Sequence, residues 1–537
     1  MARPQRGART QQRQRRQAAG LSQLPRGPVR TPYPPMAILS DDQVEAIHHA
    51  SLQVLRDIGV NFLLPEARDI LAAAGAMVDG PRVRFDPAMV AETITTIPPS
   101  FRLHARNPAR SVDMGGNNIV VTSVGSPPNA SDLARGRRPG NFADFQDFLR
   151  LSEQLNVCQV IGGYPVEPVD VPTHIRHLKA TQAIITLTES PLFGYSLGRR
   201  RILDVIEMTR IARGIDTETL MAEPSLFTIV NANSPLQYDV PMLKGVIELA
   251  RRGQVVCFTP FTLAGAMAPV SLAGALTQQN AEALAGFVLA QVVRPGAPVI
   301  YGEFTSNVDM RTGAPAFGTP EYAQAVIAGG QLARRYGVPY RSSNTNASNA
   351  PDEQAVYETM MSLWPCFLAH CNFLKHGLGW LEGDLTASFE KMVLNAEMIQ
   401  MMVAFLKPLD LSVDELGLEA MAEVGPGGHF FGASHTMARY ETAFYRPLLS
   451  DWRNFETWRE SGAETAGQRP PALSSAARRL SATGDGPGRG RGTGRFRHPA
   501  DRRRRGRSGR RLKLTSRRVK ARDKRKTGRR KSPGPLS

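Results

Sequence analysis

From residue 117 onward the chain alternates short apolar runs with segments whose apolar residues recur every three or four positions. The runs are NIVVTSVG (118–125), CQVIGGY (158–164), PLFGYSL (191–197), LFTIVNAN (226–233), QVVCFTPF (254–261), PVIYGEF (298–304), VPYRSSN (338–344) and CNFLKHG (371–377). Each has the length of a buried parallel strand. Between them lie amphipathic stretches such as FADFQDFLRLSEQL, DVPMLKGVIELARRG and AEALAGFVLAQVVRPG, long enough to cross back over a sheet. Eight β-then-α units in order predict an α/β fold, a TIM (β/α)8 barrel over residues 117–410.

A different pattern precedes the barrel. LSDDQVEAIHHASLQVLRDIG offers Ser40 as an N-cap, acids in the first turn, and a helical apolar stripe through Val44, Ile47, Leu52 and Leu55. PEARDILAAAGAMVDG then predicts a second helix stopped at a glycine turn, so residues 36–116 form an N-terminal helical preface. His48 and His49 are adjacent and diverge around a helix, which suits surface and groove positions better than metal ligation. Residues 411–467 read as an extension packing on the barrel.

Charge divides the chain differently. The formal net charge is +18, yet residues 469–537 carry 25 Lys and Arg against 3 acids, and residues 1–30 carry 8 Arg against none. That leaves 33 bases and 45 acids in residues 31–468, an acidic body with basic ends. A body of that sign lacks the basic face that docks a domain onto phosphates, so a nucleic-acid role would rest on the flanks alone. Residues 1–35 are expected to be a disordered basic N-terminus without an apolar leader, and residues 468–537 a disordered basic tail. Three readings of the tail stand together: an anion-binding arm, a solvated tail without function, and the product of a reading-frame shift in a GC-rich gene. Four cysteines (Cys158, Cys257, Cys366, Cys371) fit free thiols in a reducing cytoplasm, and no apolar run approaches the roughly 20 residues that span a bilayer.

In a barrel, chemistry belongs at the C-terminal ends of the strands. Those ends are polar, aromatic or glycyl here: Ser126, Tyr164, Asn233, Phe261, Glu303 with Phe304, Ser306 and Asn307, Asn344 with Asn346, then His376, Gly377 and Trp380. The segment YGEFTSNVDMRTGAPAFGTPE (301–321) is a long Gly/Pro loop suited to covering a ligand. His429 and His435 stand six apart, which matches no zinc spacing, so no directly bound metal is expected. P-loop, strand-placed GxGxxG and GxSxG motifs are absent.

Many blocks in order carry a more specific signal: PPSFRLHARNPARSVDMGG, EPVDVPTHIRHL, IVNANSPLQYD, FTLAGAMAPVSLAGAL, AQVVRPGAPVIYGEF, GAPAFGTPE, PDEQAVYE, GWLEGDLTASFEKMV and VGPGGHFFGASHT. Across residues 38–466 the chain resembles the trimethylamine methyltransferase family. The resemblance implies a TIM barrel whose mouth receives a methylated amine and the corrinoid (cobalamin) carried by a separate partner protein. Founding members place pyrrolysine in a loop like Asp352-Glu353-Gln354-Ala355. This chain has none there, so it resembles the non-pyrrolysine branch, which includes glycine betaine methyltransferases. RSSNTNAS stands where the family pattern is richer in glycine, and the apolar helical pattern expected past Trp458 is lost near Gln468.

The implied reaction moves a methyl group from a quaternary or tertiary methylamine to Co(I) of the partner corrinoid protein. A permanent cation calls for aromatic faces and a carboxylate. On strand position, Tyr164, Phe261, Phe304 and Trp380 are the expected box, with Glu303 as the charge partner. His376, Asn233 and Asn346 are expected to serve a substrate carboxylate, with Glu303 and His376 as the catalytic pair. Ser306, Asn307, Asn344 and Gly377 are expected to face the corrinoid, and self-association is compatible with the sequence. The alternatives are a nucleic-acid-binding protein acting through its basic ends and an inactive, truncated relative.

Overall fold

The structure is a computed structural model and describes residues 23–460. Its central sheet has eight strands: β1 (Val29–Arg30), β2 (Asn118–Ser123), β3 (Leu192–Phe193), β4 (Leu226–Val230), β5 (Val255–Phe258), β6 (Val299–Gly302), β7 (Tyr340–Ser343) and β8 (Phe373–Leu378). Their spatial order is β1-β2-β8-β7-β6-β5-β4-β3. All neighbours are parallel except β1, which lies antiparallel on β2 with Val29 opposite Ile119.

This overturns the expected closed (β/α)8 barrel. The sheet is curled but open and mixed, because the run at 158–164 builds no ladder and contributes only the isolated bridge Thr122–Val160. The Gln159 and Val160 N–H groups donate to the Val121 carbonyl, but side-chain hydroxyls take the next two. The Ile161 N–H donates to Ser190 Oγ at 2.9 Å and the Gly162 N–H to Ser123 Oγ at 3.1 Å. On the other edge, β3 is two residues long, and its flanking N–H groups at Leu192 and Gly194 donate to Ser225 and Phe227 on the β4 side. The other seven apolar runs all became strands.

The helices follow from capping and periodicity. The preface contributes α1 (Asp41–Gln53), α2 (Pro65–Ala73) and α3 (Pro87–Thr95). Ser40 and Gln43 close a reciprocal capping box at the start of α1. Around the sheet run α4 (Phe142–Gln154), α5 (Arg176–Leu187), α6 (Arg199–Arg213), α7 (Val240–Arg251), α8 (Leu272–Val293), α9 (Pro320–Tyr336), α10 (Glu353–Leu368) and α11 (Phe389–Phe405). Helix α8 is apolar almost all round and buried along most of its length, because α1 and α3 cover the face it turns away from the sheet.

Residues 23–35 run along the end of the sheet where the strands begin. There Arg26 donates to the carbonyls of Glu153 and Cys158, closing the C-terminus of α4. Beyond α11, residues 413–460 form four short helices and a 3-10 turn whose large apolar side chains are mostly exposed. The expectations for residues 1–22 and 461–537, including the basic tail, lie outside the described residues. All four cysteines are buried free thiols. Among the described residues no helix is long and apolar enough to cross a membrane.

Candidate functional site

Two cations sit inside the sheet where sequence reasoning expected apolar strand. Arg341, on β7, is 1% exposed. It donates from Nη1 to the backbone carbonyl of Glu303 at 2.9 Å, and its guanidinium carbon lies 4.9 Å from the Phe304 ring centroid. Its Nε is buried with no hydrogen-bond partner. Lys375, on β8, is 2% exposed, and its Nζ lies 5.7 Å from the Phe193 ring centroid. Gly163 borders the amine: a Cβ built there would make ordinary contact with Nζ at 3.7 Å. Burial, reinforced by Arg341, pushes the Lys375 ammonium down to about 7.

His376 follows directly and also reaches this cluster, which a regular strand would forbid. It adopts φ 55, and the pairing of β8 with β2 slips between Leu374 and Leu378. Its ring centroid lies 4.3 Å from that of Trp380, and Nδ1 is 3.4 Å from Ser343 Oγ. Burial first, then the charges of Lys375 and Arg341, hold the imidazole well below its usual range, so it is neutral at physiological pH.

An aromatic cluster adjoins these groups. Phe261 and Phe304 lie 4.8 Å apart, Phe304 and Phe317 are stacked at 5.8 Å, and Trp380 meets both Phe304 (6.1 Å) and Phe317 (5.9 Å) edge-on. The structure thus brings together three of the four expected box residues and adds Phe317, which the 301–321 loop carries over them. Tyr164 belongs to a separate cluster, 4.6 Å from Tyr195 and 6.3 Å from Phe193. Tyr195 donates to the hydroxyl of Ser126 at 2.7 Å.

Glu303 does not face this space. Its side chain leans on α9, where a Cβ at Gly329 would fall 2.4 Å from Glu303 Cγ. Its carboxylate accepts from the Thr305 N–H at 2.5 Å and the Ser342 hydroxyl at 3.2 Å. Burial pushes the carboxyl up to about 7. Asn346 is equally committed: Nδ2 donates to the Ala355 carbonyl, and Oδ1 accepts from Lys391 Nζ at 3.0 Å. Its backbone carbonyl accepts from Trp380 Nε1 at 3.0 Å, so Asn346 positions the aromatic wall. Lys391 also donates to Thr359 Oγ1 at 2.6 Å, and burial pushes its ammonium down to about 7.

Asn233 is exposed at the rim. Of the four residues expected to face a corrinoid, Ser306, Asn344 and Gly377 are buried. Ser306 donates to the Ala316 carbonyl, and the half-buried Asn307 accepts from Thr319 Oγ1 at 3.1 Å. The amide of Asn344 donates to the Gly377 carbonyl at 3.0 Å, leaving Oδ1 buried without a partner. Among the described residues, no three His, Cys, Asp or Glu converge as metal ligands.

Sequence reasoning did not single out Arg341, Lys375, Phe317 or Tyr195, which the structure places beside the expected residues. The first two had a signal: a Lys or Arg inside an apolar run is almost never fully buried without a task or a partner.

Comparison with known proteins agrees with the resemblance. The profile described as trimethylamine methyltransferase (MTTB) matches residues 5–481. A glycine betaine methyltransferase from Desulfitobacterium hafniense is 36% identical over 433 residues, 80% of this chain and 90% of that protein. The proline betaine:corrinoid methyltransferase of Eubacterium limosum is 27% identical over 405 residues, covering 73% and 82% of the two chains. The trimethylamine methyltransferase MttB of Methanosarcina barkeri (strain Fusaro) is 27% identical over 435 residues, covering 80% and 87%. In fold, the chain is similar to the crystal structure of a hydroxylamine MtmB complex, with a TM-score of 0.50, 11% identity, and 83% and 88% of the two chains covered.

Proposed function

The chain belongs to the trimethylamine methyltransferase family, and on that premise we propose that it moves a methyl group from a carboxylated quaternary ammonium, glycine betaine being the type, to the Co(I) corrinoid of a separate partner protein. The observation that carries this reading is the pair of buried cations, Arg341 and Lys375, beside an aromatic cluster. Trimethylamine offers nothing to either cation. A betaine offers a carboxylate to the cations and a methylammonium to the rings.

When docked, the corrinoid supplies the nucleophile for an in-line displacement, and the work of this chain is to bind, orient and exclude water. The open end of the sheet suits the approach of a large flat ring, since Ser126 and Asn233 are exposed there and Tyr195 and Phe261 half-buried. Arg341 keeps Nε free for a carboxylate oxygen. A quaternary ammonium leaves as a neutral tertiary amine, so its departure requires no acid. A neutral His376 fits that chemistry, because it orients against Ser343 and Trp380 with no proton to give.

The test uses the full chain, a reduced corrinoid protein of the family and a panel of methylated amines, with the Co(I) absorbance as readout. Loss of Co(I) is expected with glycine betaine and not with trimethylamine. Retention of Co(I) with every amine would overturn the proposal.

A further inference from the structure

A cleft of about 300 Å³ opens at the end of the sheet where the strands begin. Its walls come from three stretches far apart in sequence: residues 26–30, the antiparallel hairpin of Ser100–Leu103 with Val112–Gly115, and the first residues of β2 together with Gln159. Strand β2 is six residues long, so roughly 20 Å separate the cleft from the end of that strand leading to Ser126. The cleft is therefore distinct from the site described above.

Four arginines line it, Arg26, Arg30, Arg102 and Arg110, with Asp113 as the one acid of the lining. Their charges are met unequally. Arg102 and Asp113 stand opposite each other across the hairpin and pair at 2.9 Å. Arg110 is held by the carboxylates of Glu153 and Glu189, the latter at 3.6 Å. Arg26 and Arg30 are met by neutral acceptors instead. Arg26 donates to the carbonyls of Cys158 and Glu153, and Arg30 donates from Nε to Asn118 Oδ1 at 3.0 Å. Four guanidinium groups thus gather around three carboxylates, and the surplus charge is positive.

Nearby sequence does not balance it. Residues 1–22 add six Arg and no acid. Arg26 and Arg110 also crowd one residue, Glu153, and burial followed by the charge of Arg26 loosens the hold of Arg110 on its proton. An oxyanion relieves such crowding, because the guanidinium fork meets phosphate or carboxylate oxygens two at a time. A concave space of this volume is at the small end of ligand sites, which suits a compact molecule rather than a polymer backbone.

We propose that this cleft binds a small multivalent oxyanion, a phosphate ester or a polycarboxylate, which the exposed Arg30 and Arg102 grip at the rim while the half-buried Arg26 and Arg110 supply the positive field behind them. Such a ligand would tie residues 26–30 to the hairpin. The site does not depend on the methyl-transfer reading and stands or falls without it.

The test is calorimetry on the full chain with pyrophosphate and with citrate, at an ionic strength about twice physiological, which screens diffuse attraction to the basic ends. Saturable binding of at least one probe is expected. Pyrophosphate alone assigns the phosphate class, citrate alone the polycarboxylate class. Arg30→Gln should weaken binding roughly tenfold, through loss of charge-assisted hydrogen bonds. Asp113→Asn removes the one acid of the lining and should tighten it severalfold. Both residues are exposed, so both variants should fold. Opposite shifts in the two variants support the proposal, since damage to the fold would weaken both. No saturable binding of either probe would overturn it. So would equal affinity in all three proteins, which places the ion on the basic ends, or any pattern other than the opposite shifts.

Discussion

Glu303→Gln replaces one oxygen of a fully buried carboxylate with an amide, at a position the strand pattern marks as catalytic and the structure turns toward α9. The folded-state pKa is raised from 4.5 to about 7 by burial, against the opposing hydrogen bond from Thr305 and the charge of Arg341. A raised carboxyl pKa means that the folded state holds its proton longer than the unfolded chain. The stability this contributes is therefore complete below pH 4.5 and lost as pH rises through about 7. At 1.36 kcal/mol per unit, the loss is about 3 kcal/mol, fully developed by pH 8. Glutamine does not titrate and escapes that loss. It can still accept from the Thr305 N–H, but its amide cannot accept the Ser342 hydroxyl, which costs about 1 kcal/mol at every pH. Urea midpoints should therefore cross, with the variant less stable than wild type near pH 5 and more stable near pH 8. Methyl transfer at pH 8 should stay within about threefold of wild type, whereas a carboxylate meeting the reacting ammonium would cost roughly 100-fold when neutralised. A stability difference that ignores pH would refute the burial argument. A 100-fold loss of activity in folded variant would refute the placement of Glu303 outside the lumen.

Lys391→Met tests the opposite sign. The wild-type ammonium is held down to about 7 from 10.5, so its contribution is present above pH 10.5 and lost as pH falls through about 7. Scanning fluorimetry should show the variant gaining on wild type between pH 10 and 7, by at most about 5 kcal/mol, and a pH-independent gap would contradict this. Arg341→Met should raise the KM for glycine betaine by roughly 10- to 100-fold through loss of a charge-assisted hydrogen bond, with binding of tetramethylammonium little changed. Arg341→Lys should not restore it, because a point charge lacks the Nε and Nη fork. Equal effects on the two ligands would show that Arg341 serves only the fold.

The strands were legible because burial on both faces writes a continuous apolar run, and seven such runs stand where the alternation put them. CQVIGGY misled because its composition is equally strand-like, while what decides closure is whether backbone or side chain meets its N–H groups. Ser190 and Ser123 meet those of Ile161 and Gly162, and neither hydroxyl announces that in sequence. Facing was harder to read than position. Arg341 and Lys375 lie in VPYRSSN and CNFLKHG, and a charge inside such a run marks a lumen group when the neighbours allow it. Glu303 carries the same kind of mark in PVIYGEF, yet its side chain passes to the helix side, where Gly329 leaves room. The distinguishing fact is that glycine, 26 residues downstream in another element.

Asp384 was the least legible of all. GWLEGDLT reads as an ordinary turn, and left-handed φ at Glu382 and Asp384 is imposed by the carbonyls of Ser348 and Asn346 from a different loop. Positions so constrained by long-range contacts carry no local propensity signal, since local preference opposes the conformation they adopt. That opposition has a use. A group that local preference would place elsewhere can keep a valence open toward a ligand, as Arg341 Nε does, buried and unpaired.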